Sequence, residues 1–237
     1  MAKGRFVTGT RRPGKSSNCE GMSIIILCGN MGYRMKSYGP KALLAFSDGS
    51  LLIDRLLENV SVCFPQGEII VGVGFEADKV MARLPQGVHV VENQLYEDTN
   101  DLEEVRLCLN AATKDNVLII NGDLTFNNIA LDKIAKHGSS IVVNENMGEN
   151  EIGVTTVDEL ATIFAYDLPL KWCNIVHLTG KELVAFKKIC KDRERGRWYI
   201  FEALNQIIQK GGKLHVSCPK HMEINRIEKL KDWKALQ

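Results

Sequence analysis

Short apolar runs alternate along the chain with stretches whose apolar residues recur at helical spacing. Residues 24–28, Ile-Ile-Ile-Leu-Cys, form an unbroken apolar run of the kind a strand buried on both faces carries. Residues 68–73, 88–91 and 116–120 repeat that pattern. Between them, Leu52, Leu56 and Val60 mark a helix over 51–63, and shorter helical patterns cover 77–84 and 102–112. Strands separated by helices rather than by tight turns need crossover connections. The first half therefore predicts a mostly parallel sheet with helices on both faces. After Gly148 the pattern changes. Residues 152–157 and 161–166 read as a hairpin, and 172–178 as a further strand. Helices follow over 181–190 and 198–209, stopped by Gly211-Gly212. Short strands over 214–217 and 222–224 lead into a last charged helix. No internal repeat or linker interrupts residues 22–237. The expectation is one α/β domain of three layers with a mostly parallel central sheet, preceded by a flexible basic tail over residues 1–21.

Composition narrows the function classes. The 237 residues carry 30 Lys+Arg against 29 Asp+Glu, a formal charge of +1, which argues against a dedicated nucleic-acid binder. No apolar run approaches the roughly 18 residues of a membrane span, and the tail lacks the apolar segment of a secretory signal. Seven cysteines, an odd number with no Cys-x-x-Cys pair, fit a reducing cytoplasm better than a disulfide framework.

Two glycine-rich loops compete for a phosphate. The tail contains Gly9-Thr-Arg-Arg-Pro-Gly14-Lys15-Ser16, a literal G-x-x-x-x-G-K-S match. Such a loop needs a buried strand before it and a helix after it, because the helix N-terminus supplies the dipole that attracts the anion. Residues 4–8 make a poor strand, and five residues separate Ser16 from the run at Met22. The match reads as a solvated basic tail. The second loop follows the first strand: Gly29-Asn-Met-Gly32-Tyr-Arg34, then Pro40-Lys41. Ligands of open parallel sheets bind at the carboxyl ends of strands. Gly29 and Gly32 allow a tight turn and close approach to anionic oxygens, Arg34 offers a planar fork, and Lys41 a compact charge. The plain alternative is a glycine turn with two surface cations.

The run from Leu27 through Cys28, Gly29, Asn30, Met31, Gly32 and Arg34 to Pro40-Lys41 resembles the signature of nucleotidyltransferases with a GT-A-like fold, with Asn30 replacing one glycine. Gly74 to Val80 resembles the segment after that family's second strand. Residues 91–102, with Asn100-Asp101, are similar to the asparagine-pair stretch of the phosphocholine cytidylyltransferase-like branch, Asp101 standing for the second Asn. Val117 to Gly122-Asp123 resembles the strand whose final Asp binds the catalytic metal. Met222-Glu-Ile-Asn225 resembles the late E-I-D segment, with Asn225 in place of the aspartate that is normally the second metal ligand.

The resemblance implies an Mg2+-dependent nucleotidyltransferase of the EC 2.7.7 type. It would transfer a nucleotidyl group from an NTP, with CTP favoured, to a small phosphorylated alcohol or a sugar phosphate, releasing pyrophosphate. Lys41, Arg34 and Asp123 would be catalytic. Leu27, Gly29, Asn30, Met31, Gly32, Asn100 and Gly122 would bind nucleotide, and Lys171 the acceptor. Mg2+ would sit on Asp123 and Asn225. A neutral amide at Asn225 leaves three outcomes: a weaker metal, compensation by Glu223, or reduced catalysis. Asn100 has a second reading as a helix N-cap, and Lys171 as an ordinary exposed lysine. A protein that binds NTP without turning it over is the alternative, weakened at the second metal position. No membrane or nucleic-acid partner is expected.

Further groups carry lesser chemistry. His215, Cys218 and His221 are metal-type residues, but they straddle a strand end and Pro219 without a fourth ligand. Trp172, Trp198 and Tyr199 could cage a quaternary ammonium, although aromatics at such positions are more often core. The run from Lys191 to Arg195 alternates in sign and reads as a solvated loop.

Overall fold

The computed structural model describes residues 21–132, 134–146 and 151–237. The Gly9–Ser16 match, like all of the basic tail except Gly21, lies outside the described residues. The chain builds β1 (Met22–Leu27), α1 (Leu52–Cys63), β2 (Glu68–Val73), α2 (Ala77–Met81), β3 (His89–Glu92), α3 (Asp101–Ala111), β4 (Asn116–Asn121) and β5 (Leu124–Phe126). It continues with β6 (Ser140–Asn144), β7 (Ile152–Val157), β8 (Leu160–Tyr166), β9 (Leu170–Thr179), α4 (Gly180–Cys190), α5 (Ile200–Gln209), β10 (His215–Ser217), β11 (Ile224–Arg226) and α6 (Leu230–Lys234).

Alternation along β1 shows why its run is apolar throughout. Met22, Ile24 and Ile26 enter one core cluster with Leu52, Leu56 and Val60 of α1. Ile25 and Leu27 enter the other, with residues of α3, α4 and α5. A strand between two helix layers has no face for water, so both side-chain sets are apolar. No helix among the described residues is long and apolar enough to cross a membrane.

The large sheet has the order β3-β2-β1-β4-β9-β6-β10-β8-β7. Its first part is parallel, as the sequence leads one to expect: β1 pairs with β2 and β4, and β2 with β3. In the rest only β6 and β10 pair in parallel and the other pairings are antiparallel, so the sheet is mixed and the expectation of a mostly parallel one is corrected. β9 runs antiparallel to both neighbours, β4 and β6, and β7 pairs antiparallel with β8 and β9. Antiparallel neighbours need no crossover helix, so the second half can add strands through short turns. The β7–β8 turn places Asp158 and Glu159 at φ of 50° and 60°, the left-handed pair that a two-residue hairpin loop requires. β5 and β6 have no counterpart in the sequence reading, because Leu-Thr-Phe and Ile-Val-Val are too short to display a period. The last strand begins at Ile224, where the pattern had ended it.

Two features of this fold position the cleft. β1 and β4 are parallel and in register, Leu27 opposite Asn121, so the loops leaving their carboxyl ends lie side by side. A small second sheet then pairs β5 with β11 and brings the C-terminal segment to the same edge.

Candidate active site

The loop after β1 is tied down at its start. Cys28 N donates to Gly72 O at 2.9 Å, and Phe75 N donates to Gly29 O at 2.9 Å. Gly32 then takes a φ of +57°, and a Cβ there would lie 2.7 Å from Cε of Lys41. The turn therefore needs glycine both for its backbone and for the room Lys41 occupies. Lys41 opens a short helical turn anchored by buried Ala42 and Leu44, which fixes where its side chain emerges. Gly122 N donates to Leu27 O at 2.8 Å, and a Cβ on Gly122 would come within 2.5 Å of that same carbonyl. The close approach brings the next residue, Asp123, up against the first loop.

Asp123 is the centre of an ionic chain. Lys41 Nζ donates to its Oδ2 at 3.0 Å, and Arg226 Nε reaches both carboxylate oxygens at 3.2 and 3.4 Å. Arg226 Nη1 also pairs with Glu228 Oε1 at 2.8 Å, and Arg34 Nη1 with Glu228 Oε2 at 3.2 Å. Burial pushes the Asp123 carboxyl up, but the Arg226 guanidinium and the Lys41 ammonium outweigh it and hold it below the usual carboxylate range. Asp123 is therefore ionised at neutral pH.

The first turn of α3 supplies two further carboxyls to the cleft wall. Glu104 accepts from Gly29 N at 2.9 Å, and Asp101 accepts from Ile200 N at 3.0 Å. Burial drives Glu104 up to about 8 and Asp101 up to about 7. Burial thus disfavours the charged form of both carboxyls, so this wall carries less negative charge than two ordinary acids would.

Leu27, Asn30, Gly32, Arg34 and Lys41 line one open cleft of about 320 Å³, and Gly122 and Asp123 complete it from the β4 side. Gly29 and Asn100 meet in a shallow recess with no room for a water molecule, which shares Asn30 and Glu104 with the cleft. Asn100 stands at the N-cap position of α3, yet its side chain makes no capping bond; its amide donates to Arg197 O at 2.5 Å. Met31 is half-buried and lines neither space. Lys171 lies on β9, paired with Glu151, and is not part of the cleft wall.

The aromatic cage does not form as drawn from sequence. Trp172 is 3% exposed, packs edge-on to Phe164 at 5.5 Å, and belongs to the core. Trp198 lies under the Arg195 guanidinium at 4.6 Å. Tyr199 alone of the three reaches the cleft, 46% exposed and stacked on Phe201 at 5.8 Å. His215 sits beside His137 with ring centroids 6.0 Å apart, and no three His, Cys, Asp or Glu side chains among the described residues are placed to share a metal ion.

The same test applies to the metal pair that the resemblance implies. Asn225 is exposed, pairs across the small sheet with Thr125, and is absent from the cleft wall. Strand alternation sends Ile224 and Arg226 to the opposite side from Asn225. Asn225 thus does not share the cleft wall with Asp123, whose carboxylate is engaged by two cations. The donor set does not fit an ion held by the protein.

Arg226, Glu228, Asp101, Glu104 and Asn121 also line the cleft and were not legible as site residues. Asn121 Oδ1 is buried without a hydrogen-bond donor among the described residues, an acceptor left open at the strand end. The available signal for Arg226 was its place one residue after Asn225 in a strand, where a period of two puts neighbours on opposite faces.

A family profile for the MobA-like NTP transferase domain matches residues 24–188, well over half of the chain. Among curated proteins none matches this sequence. Solved structures share the fold. CTP:phosphocholine cytidylyltransferase from Streptococcus pneumoniae aligns with a TM-score of 0.72 at 20% identity, covering 91% of this chain and 97% of that one. The inositol-1-phosphate CTP transferase from T. maritima aligns with a TM-score of 0.73 at 17% identity, covering 89% and 90%. A putative glucose-1-phosphate thymidylyltransferase from Bacillus anthracis gives 0.73 at 17%, covering 91% and 93%. The cleft described above lies largely within the matched segment, and the C-terminal strand that closes it follows outside. The chain belongs to the MobA-like NTP transferase domain family and is a nucleotidyltransferase.

Proposed function

We propose that the enzyme transfers a nucleotidyl group from an NTP to a small phosphorylated acceptor and releases pyrophosphate. The observation that carries this reading is the convergence of Lys41, Arg34 and the glycine turn on one cleft at the carboxyl ends of β1 and β4, beside ionised Asp123. The triphosphate enters as its Mg2+ complex, the ion carried by the phosphates. Lys41 lies at the α-phosphate. Arg34 and the backbone of the turn from Gly29 through Asn30 and Met31 to Gly32 hold the leaving pyrophosphate. Leu27, Gly122 and the recess at Asn100 bound the nucleoside.

The acceptor's phosphate oxygen attacks the α-phosphorus in line. The new P–O bond forms as the bond to the bridging oxygen breaks, and its electron pair leaves with pyrophosphate. A phosphate dianion is already a nucleophile at neutral pH, so the chain needs no general base. Its residues position two anions against each other and neutralise charge on the transferring group. The acceptor is a phosphorylated alcohol of small size, with phosphocholine-like and sugar phosphates as the classes to screen first. CTP is the first nucleotide, since two of the structural neighbours are named for its use. Lys171 is retained as an acceptor contact only if the acceptor reaches beyond the cleft toward β9.

Thermal unfolding with ATP, CTP, GTP and UTP tests this without knowledge of the acceptor. A nucleotide at about a hundred times its Kd adds about 2.7 kcal/mol, a rise of several degrees in a domain of this size. One nucleotide should stabilise the wild type, and Lys41→Ala should lose that shift. Equal shifts in both proteins would remove Lys41 from the site.

A further inference from the structure

Arg226 is held in the cleft by a structure that leaves little freedom in its placement. β11 pairs antiparallel with β5, setting Arg226 opposite Leu124, and Ile227 N donates to Asp123 O at 2.8 Å. The backbone beside Arg226 is thus bonded to the residue its guanidinium contacts. Nε is committed to Asp123 and Nη1 to Glu228, whereas Nη2 makes no hydrogen bond among the described residues. The side chain is about one-third exposed and lines the cleft between Asp123 and Glu228. Lys41 likewise makes one bond, to Asp123, with its side chain only 16% exposed. The ionic chain holds three cations, Lys41, Arg226 and Arg34, against two carboxylates, Asp123 and Glu228. It therefore carries a surplus positive charge at the rim of a cleft, with donors still free to bind an anion.

A structural ion pair would need one cation for Asp123. Two converge on it from different parts of the chain, 82 residues before it and 103 after it. The side that Asn225 leaves empty is the side Arg226 fills. We infer that Arg226 is a further catalytic residue: its guanidinium, with Lys41, binds the transferring phosphoryl group and supplies there the positive charge for which Asp123 and Asn225 provide no ligand set. Asp123 is then a positioning residue that fixes both cations. Arg226 moves no proton; it neutralises charge on the α-phosphoryl oxygens while the acceptor oxygen bonds to phosphorus and pyrophosphate departs. The inference rests on the nucleotidyl-transfer reading.

Calorimetric titration with inorganic pyrophosphate and with each of the four NTPs, in Mg2+ and in EDTA, tests it. The proteins are wild type, Arg226→Ala, Arg226→Lys and Asn225→Asp, each first checked by unliganded melting. Wild type should bind one triphosphate, with affinity changing less than about tenfold on removal of the metal. Arg226→Ala should weaken that binding by about tenfold or more in both media, the loss expected for a hydrogen bond to a charged group. Its turnover should fall on the order of a hundredfold. Arg226→Lys should recover part of the binding, since it restores charge without the fork. Asn225→Asp should leave the metal dependence as it is. A folded Arg226→Ala protein that binds and turns over as wild type overturns the inference, and so does wild-type binding that vanishes in EDTA. Either result leaves nucleotidyl transfer standing. If Arg226→Ala does not fold, unchanged affinity and turnover in Arg226→Lys overturns it. Wild type that binds no triphosphate in either medium overturns both readings.

Discussion

Glu104 is 4% exposed, yet its carboxyl sits in the wall of the cleft that Lys41, Arg34 and Arg226 also line. Burial raises it from an ordinary 4.5 to about 8, and Asp101 beside it from 3.8 to about 7. Between these limits the folded protein holds protons that the unfolded chain has lost. The stabilisation from this pair is complete below about pH 4 and disappears as pH rises toward 8. Glu104→Gln keeps an acceptor for Gly29 N and has no charge to bury. Its melting temperature should match wild type near pH 5 and exceed it at pH 8.5, each 1 kcal/mol adding roughly 2–4 °C. Parallel melting curves across that range would mean that Glu104 is ionised and paid for elsewhere in the fold. Asp123 contributes with the opposite sign. Its depressed carboxyl loses stabilisation only as pH falls below the usual carboxylate range.

Among the elements, the strands and turns differ in how much of them the sequence displays. The run of residues 24–28 and the glycine turn after it are self-announcing, because a doubly buried strand must be apolar and a turn that gives room to Lys41 must lack a Cβ. β11 is the opposite case. Whether Asn225 or Arg226 faces the cleft depends on a one-residue register, and the registry is set by pairing with β5, about a hundred residues earlier. Local sequence carries no trace of that pairing. Trp172 was ambiguous for a related reason: its neighbours fit a strand, but only the packing against Phe164 decides which face is core. The β7–β8 turn offers a test at this scale. Asp158 and Glu159 occupy left-handed conformations that cost an L-residue about 1–2 kcal/mol each. Asp158→Asn with Glu159→Gly should raise the urea midpoint without altering the slope, corresponding to about 1 kcal/mol or more of added stability. A lower midpoint would show that those side chains stabilise the hairpin in some other way.

At the scale of the whole molecule, the two halves of the sheet do different work. The parallel half, β3-β2-β1-β4, brings strand ends and their loops to one edge, which is where the cations collect. The antiparallel half extends the sheet and carries Phe164, Trp172 and the helices behind them, and it sends the chain back so that β11 can close the cleft. The parallel half was readable because crossover helices leave a strong alternation of periods. In the other half the β7–β8 hairpin and β9 were readable as well, but β6 was not, nor was the place of β9 between β4 and β6, which pairs segments far apart in the chain. On the proposed reading, fold and loop together would place a nucleotide, and Lys41 and Arg226, both bonded to Asp123, would place its phosphates. The most direct test is pyrophosphate release by wild type and Lys41→Ala, with each NTP against a panel of choline, inositol and sugar phosphates. The account predicts that one pairing yields equimolar pyrophosphate and nucleotidylated acceptor, with Lys41→Ala slower on the order of a hundredfold. Release of orthophosphate in place of pyrophosphate, or a Lys41→Ala rate equal to wild type, would contradict it.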